Sequence, residues 1–70
     1  MIDVERLNKD FMYHAPKEGQ PVKYGAIRSN AKILASLVMD LCPESREASL
    51  ALTKIEEAVF WANAAIARNE

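Results

Sequence analysis

With one cysteine, one histidine and two glycines in 70 residues, the chain has few of the groups that most site chemistry needs. Cys42 has no second cysteine to pair with, so an internal disulfide is excluded. Cys42 and His14 together cannot supply the four Cys/His ligands of a structural zinc site within one chain. There is no Gly-rich phosphate loop, no HExxH and no CxxC. A nucleophile–histidine–acid triad would have to be built on His14 alone. These gaps argue against an enzyme and against a resident cofactor. Long apolar runs are missing as well, since none approaches the roughly 18 residues of a membrane span. The N-terminus lacks the basic and apolar regions of a secretory signal. The expectation is a cytoplasmic chain with no membrane partner. Neither sign of charge dominates, with nine basic and ten acidic side chains and a net charge of −1. No continuous basic stripe appears, so DNA or RNA polymers are not expected ligands.

What is abundant is apolar surface, at 50% of residues. A chain this short buries only about 60% of the surface that its unfolded form exposes. Small domains compensate with disulfides, metals or partners. An internal disulfide and a Cys/His zinc site within one chain are excluded, so partners remain the best option and self-association is expected. Charge is also unevenly spread. Residues 1–32 carry Arg6, Lys9, Lys17, Lys23, Arg28 and Lys32 against four acids, whereas residues 33–70 carry three bases against six acids. An anion site would therefore be local and would draw on the N-terminal half.

Three helices are predicted in a single helical unit over 1–70, at about 3–12, 21–41 and 43–68. Asp3 can cap the first, which places Val4, Leu7 and Phe11 on one face. Residues 12–20 read as a loop, because Ala15 precedes a proline. Pro21 suits the first turn of the second helix, and Pro43 that of the third. In the second helix Tyr24, Ile27, Ala31, Leu34, Val38 and Leu41 repeat as a heptad seam, with Ile33 and Leu37 widening it. In the third, Leu52, Ile55, Val59, Ala62 and Ile66 repeat likewise. The short turn at Cys42 requires an antiparallel hairpin. Helix lengths of about 30 and 40 Å predict that the third overhangs the second. The overhang would expose Trp61 and Ile66 for the first helix or another chain to cover.

Two groups could carry binding chemistry. Tyr13 offers a stacking face for a base, and His14 and Lys17 beside it can donate to phosphate. Alternatively, Tyr13 packs under the loop and His14 is a surface residue. Gly25, Arg28, Ser29 and Lys32 share one helical face. There Arg28 presents a planar fork suited to phosphate, and Gly25 allows close approach. The other reading of this face is a solvated basic stripe. Trp61 sits off the seam and reads as core or interface. Arg68 and Asn69 end the last helix. Arg68 there complements the helix dipole, or forms a cationic ring if several helix ends converge.

Four segments in this order resemble a known family. They are Phe11-Met12-Tyr13-His14-Ala15-Pro16, then Tyr24-x-Ala26-Ile27-Arg28, then the run from Leu41-Cys42-Pro43 through Ser45-Arg46-Glu47 to Leu52-Thr53-Lys54, and the ending Glu56-Glu57-Ala58-Val59-x-Trp61-Ala62-Asn63 to Arg68-Asn69. They are similar to the phage anti-CBASS cyclic-oligonucleotide sponge family. The resemblance implies an all-α fold, a short N-terminal helix plus an antiparallel helical hairpin, assembled as a homohexamer. It implies capture of intact cyclic nucleotide second messengers in the cytoplasm of the infected bacterial host, so that CBASS immunity effectors stay inactive. The cyclic-dinucleotide site it implies uses Tyr13 and Arg28, and His14, Lys17 and Gly25, singled out above on their own chemistry, are expected beside them. The separate cyclic-trinucleotide site it implies uses Arg68 and Asn69. The competing expectation is a helical protein–protein interaction module that regulates a host protein through its apolar seam.

Overall fold

The computed structural model describes residues 3–70, all of whose regular elements are helical. α1 spans Val4–Phe11, α2 Gln20–Leu41 and α3 Arg46–Asn69. The Asp3 side chain accepts the Arg6 N–H at 2.8 Å and so caps α1, with Glu5 in the positive first turn. α1 stops at Met12, which is already extended, one residue short of the expected end. α2 begins at Gln20, with Pro21 in its first turn as expected. Gly19 before it has φ 84°, a left-handed conformation in which a side chain would be strained.

α3 starts at Arg46, three residues later than Pro43 suggested. The cause is Ser45. Its hydroxyl oxygen accepts the Ala48 N–H at 3.1 Å, and its O–H donates to the Pro43 carbonyl at 2.9 Å. A serine that caps the helix in this way leaves Pro43 in the turn. The late start shortens α3 to 24 residues against 22 for α2, a difference of about 3 Å. The expected overhang is therefore absent. At the far end Glu70 meets Lys23 and Gln20, so the two helices finish level.

The hairpin packs along Tyr24, Ile27, Ala31, Ala35 and Val38 of α2 against Ala48, Leu52, Ile55, Val59, Ala62 and Ile66 of α3, all of them half-buried. The α3 seam is the expected one. In α2, Ala35 takes the place expected for Leu34, while Leu34 and Leu41 are exposed with Ile33 and Leu37. A small residue at the crossing lets two slim helices approach, and the leucines are turned outward.

No apolar side chain among the described residues is buried, and fourteen large ones are exposed. The surface is 5868 Å², whereas a compact 7.8 kDa chain would expose about 4,400 Å². The radius of gyration is 15.3 Å against about 11 Å for a compact body of this length. The molecule is a plate of 45 × 31 × 14 Å, about one helix layer thick. Such a plate has two faces and no interior. No helix is long and apolar enough to cross a membrane among the described residues.

Candidate functional site

The ends of all three helices meet at one edge of the plate, and polar groups make the junction. α1 lies against the end of α3 through its C-terminal turn. Lys9 Nζ donates to Asn69 Oδ1 at 2.8 Å. Asp10 faces Arg68, with carboxylate to guanidinium at 3.6 Å and the Asp10 carbonyl accepting from Arg68 Nη2 at 3.3 Å. Arg6 reaches the same carboxylate at 3.5 Å from one turn earlier. Val4, Leu7 and Phe11, the apolar face of α1, are exposed. Arg6, Lys9, Phe11, Trp61, Ala64 and Arg68 are among the residues lining a cleft of about 530 Å³ between α1 and α3.

Tyr13 follows α1 on the loop and is 83% exposed. Neither its ring nor its hydroxyl takes a hydrogen bond among the described residues. His14 is half-buried, with Nε2 at 2.7 Å from the Lys9 carbonyl, which ties the loop back onto α1. The Nε2–H tautomer donates there. Lys17 reaches the Glu70 main-chain oxygen with Nζ. Both side chains are thus engaged with their own chain, while Tyr13 between the helices is open.

Gln20 is the one buried residue among those described, at 3% exposure. Its Oε1 accepts the Lys17 N–H at 2.9 Å. Its Nε2 donates to Glu70 Oε1 at 3.2 Å and to the Ile66 carbonyl at 3.5 Å. Lys23 completes the group with an ion pair to Glu70 Oε2 at 2.5 Å. Hydrogen bonds from Lys23 and then from Gln20 hold the Glu70 carboxyl below its ordinary value. Sequence reasoning missed Gln20, which reads as the last residue of a loop. The one available signal is its place directly before a proline that opens a helix.

Arg28 lies two turns into α2 and is exposed, with Ser29 and Lys32 on the same face. Neither Arg28 nor Lys32 has a hydrogen-bond or ion-pair partner among the described residues. The Arg28 guanidinium folds back over Gly25, its Nη2 3.8 Å from the point where a Cβ there would stand. Gly25 thus gives the fork a flat place to rest. Ser29 and Lys32, with Ile33, Ser36, Leu37 and Asp40, edge a shallow hollow of about 460 Å³. Arg68 and Asn69, expected at a second site, are the two residues that bind α1 to α3.

The arrangement defines a class of protein. It is a one-layer helical plate, with exposed cations on one helix face that have no partner among the described residues and an open tyrosine on a tied loop. Among the described residues no cluster of three or more acidic, histidine or cysteine side chains could hold a metal ion. The Acb2/Tad1 hairpin domain matches residues 3–67. The chain belongs to this family, the anti-CBASS sponges. No curated protein matches the chain, and no solved structure does.

Proposed function

We propose that this chain binds cyclic dinucleotides, and cyclic trinucleotides at a separate site, and holds them intact, so that bacterial CBASS effectors are not activated. The observation that carries the reading is the family hairpin over residues 3–67 joined to an open Tyr13 and an exposed Arg28 with no partner among the described residues. A cyclic dinucleotide offers two flat bases and two phosphates. Tyr13 supplies a stacking face, worth about 1–3 kcal/mol per base. Arg28 supplies a planar fork for a phosphate, worth about 1.5–3 kcal/mol as a charge-assisted bond. His14 and Lys17 hold the loop beside Tyr13, and Gly25 leaves room above the helix. Arg68 and Asn69 are the trinucleotide candidates. No catalytic group is needed to hold a ligand.

The working form is a homo-oligomer, a hexamer in this reading, in the cytoplasm of the infected host. The surplus of about 1,500 Å² over a compact chain supports assembly, since it is about twice the roughly 800 Å² that each partner gives to a standard protein interface. Two protomers related by a twofold would present two tyrosines and two arginines to a ligand with the same symmetry.

Calorimetric titration with a cyclic dinucleotide and, separately, a cyclic trinucleotide tests the reading. Denaturation and chromatography of the released ligand follow. Tight binding with intact ligand recovered is the expected result. Absence of heat with both ligands, or recovery of altered ligand, would overturn it. The second reading, a helical module that regulates a host protein, is favoured by one feature. An apolar groove of about 380 Å³ runs between α2 and α3, lined by Ala31, Ala35, Met39, Leu52, Val59 and Phe60 among others. A silent titration together with a stable protein complex would move that reading to first place.

A further inference from the structure

The chain buries one residue among those described, and that residue is an amide rather than an apolar side chain. Burying a polar group is unfavourable unless its hydrogen bonds are made. Those of Gln20 are made on both sides: Oε1 takes the Lys17 N–H, and Nε2 gives to Glu70 Oε1 and the Ile66 carbonyl. The orientation of the amide is forced. Turned over, it would set an oxygen against a carbonyl and a carboxylate, and an NH₂ against an N–H.

What Gln20 joins matters more than what it stabilises. On one side is the last turn of α3. On the other is Lys17, at the far end of the loop that carries Tyr13. The near end is tied by His14 to the Lys9 carbonyl at 2.7 Å. Tyr13 itself is open and has no hydrogen bond among the described residues, so its place is set by the backbone on either side of it. Pro16 between the two ties removes one more degree of freedom.

We infer that Gln20 is a positioning residue for dinucleotide capture: it splints the Tyr13 loop to the end of α3 so that the ring is already placed when the ligand arrives. This rests on the sponge reading above. A loop that is slack before binding must be ordered by the ligand, and that entropy is subtracted from affinity. A loop ordered in advance escapes the loss. Lys17 then acts through Glu70 and the loop, and need not touch phosphate.

The test uses the full chain and titrates a cyclic dinucleotide and a cyclic trinucleotide separately, alongside thermal unfolding and the mass in solution. For Gln20→Ala the expected result is a loss of dinucleotide affinity of about tenfold or more, with trinucleotide affinity and assembly mass unchanged. Gln20→Glu keeps the acceptor for Lys17 but sets two carboxylates together, and it loses dinucleotide affinity likewise. Adding Glu70→Gln to it restores an amide donor opposite the new carboxylate and recovers part of the loss, because the Ile66 carbonyl still faces an oxygen. That rescue exchanges which side carries the amide, and a purely packing role would not respond to it. If Gln20→Ala does not fold, the comparison of Gln20→Glu with the double variant decides alone. Unchanged dinucleotide affinity in both single variants, or equal loss of both ligands with no rescue, overturns the inference. A wild-type chain silent toward both ligands overturns the sponge reading and the inference with it.

Discussion

At the edge of the plate where Gln20, Glu70, Lys17 and Lys23 meet, nearly every polar group finds its partner within the same chain. Along the flat faces of the hairpin the opposite holds, and Ile33, Leu34, Leu37, Met39, Phe60 and Trp61 all stand in solvent. The two regions obey different physics. Hydrogen bonds and ion pairs are directional and close between neighbours, so a small chain can satisfy them alone. Apolar burial needs volume, and a plate one helix layer thick has none to offer. The edge is therefore complete in one chain, whereas the apolar side chains of the faces stay in solvent.

The sharpest way to break this contrast is to put a charge on a face. Phe60→Asp places a carboxylate in the groove between α2 and α3, on a side chain that is 67% exposed in the single chain. If the faces are covered by other copies, the variant loses about 2–3 kcal/mol of apolar burial per copy and meets an added desolvation penalty. Sedimentation should show the mass falling toward that of the 7.8 kDa chain, with much of the helical circular dichroism lost. An unchanged mass would mean that this face is not an interface between copies.

Next come the two groups that neither region uses. Tyr13→Ala and Arg28→Ala should each weaken cyclic-dinucleotide binding by about 1.5–3 kcal/mol, ten- to a hundredfold or somewhat more. Neither side chain supports the fold, so the mass in solution and the melting temperature should hold. Calorimetry and a thermal melt on the same samples separate the two effects. A fall in melting temperature with affinity intact would return both residues to a structural role.

A smaller effect tests the space above Gly25. A methyl there meets only the end of Arg28 at 3.8 Å, an ordinary contact. Gly25→Ala should therefore raise helix stability by about 1 kcal/mol, seen as a higher denaturation midpoint. If dinucleotide affinity or assembly falls while the single-chain fold gains, another molecule needs that space. If both are unchanged, Gly25 is only a tolerated glycine.

The smallest effect probes the edge itself. The Glu70 carboxyl titrates below its ordinary value of 4.5 because Lys23 and Gln20 bind its charged form. A lowered folded value means stability that is fully present above the unfolded value and lost as pH falls through the folded one. Thermal melts of the wild type should decline as the solution is acidified below 4.5. The Glu70→Gln variant should start lower and lose less over that range. Parallel curves would show that other carboxylates dominate the acid transition.

Much of the framework is legible in the order of the residues. Asp3 caps α1, Pro21 opens α2, and the α3 seam from Leu52 to Ile66 is the one that packs. These are signals within a few residues, where helical period and capping chemistry act directly. Two of the misreadings share a cause, which is that two local signals compete. Pro43 and Ser45 both suit a helix start, and the serine hydroxyl decides it by accepting the Ala48 N–H. Leu34 and Ala35 both suit the α2 seam, and closeness of approach favours the alanine. The site is legible only in part. Tyr13 and Arg28 are open, as a ligand contact requires, but His14, Lys17, Arg68 and Asn69 are all bound to other parts of the chain. All but the His14 partner lie 53 to 60 residues away, where no periodicity reaches.

The sequence by itself determined an all-helical hairpin with surplus apolar surface, because composition and the 3.6-residue period depend only on neighbours along the chain. Only the tertiary structure decided that the helices finish level and that α1 docks through Asp10 and Lys9 rather than its apolar face. It alone decided that the one buried side chain among the described residues is Gln20. Those outcomes depend on which distant groups meet once the hairpin closes. Pairing of that kind is set by geometry in three dimensions rather than by order along the chain.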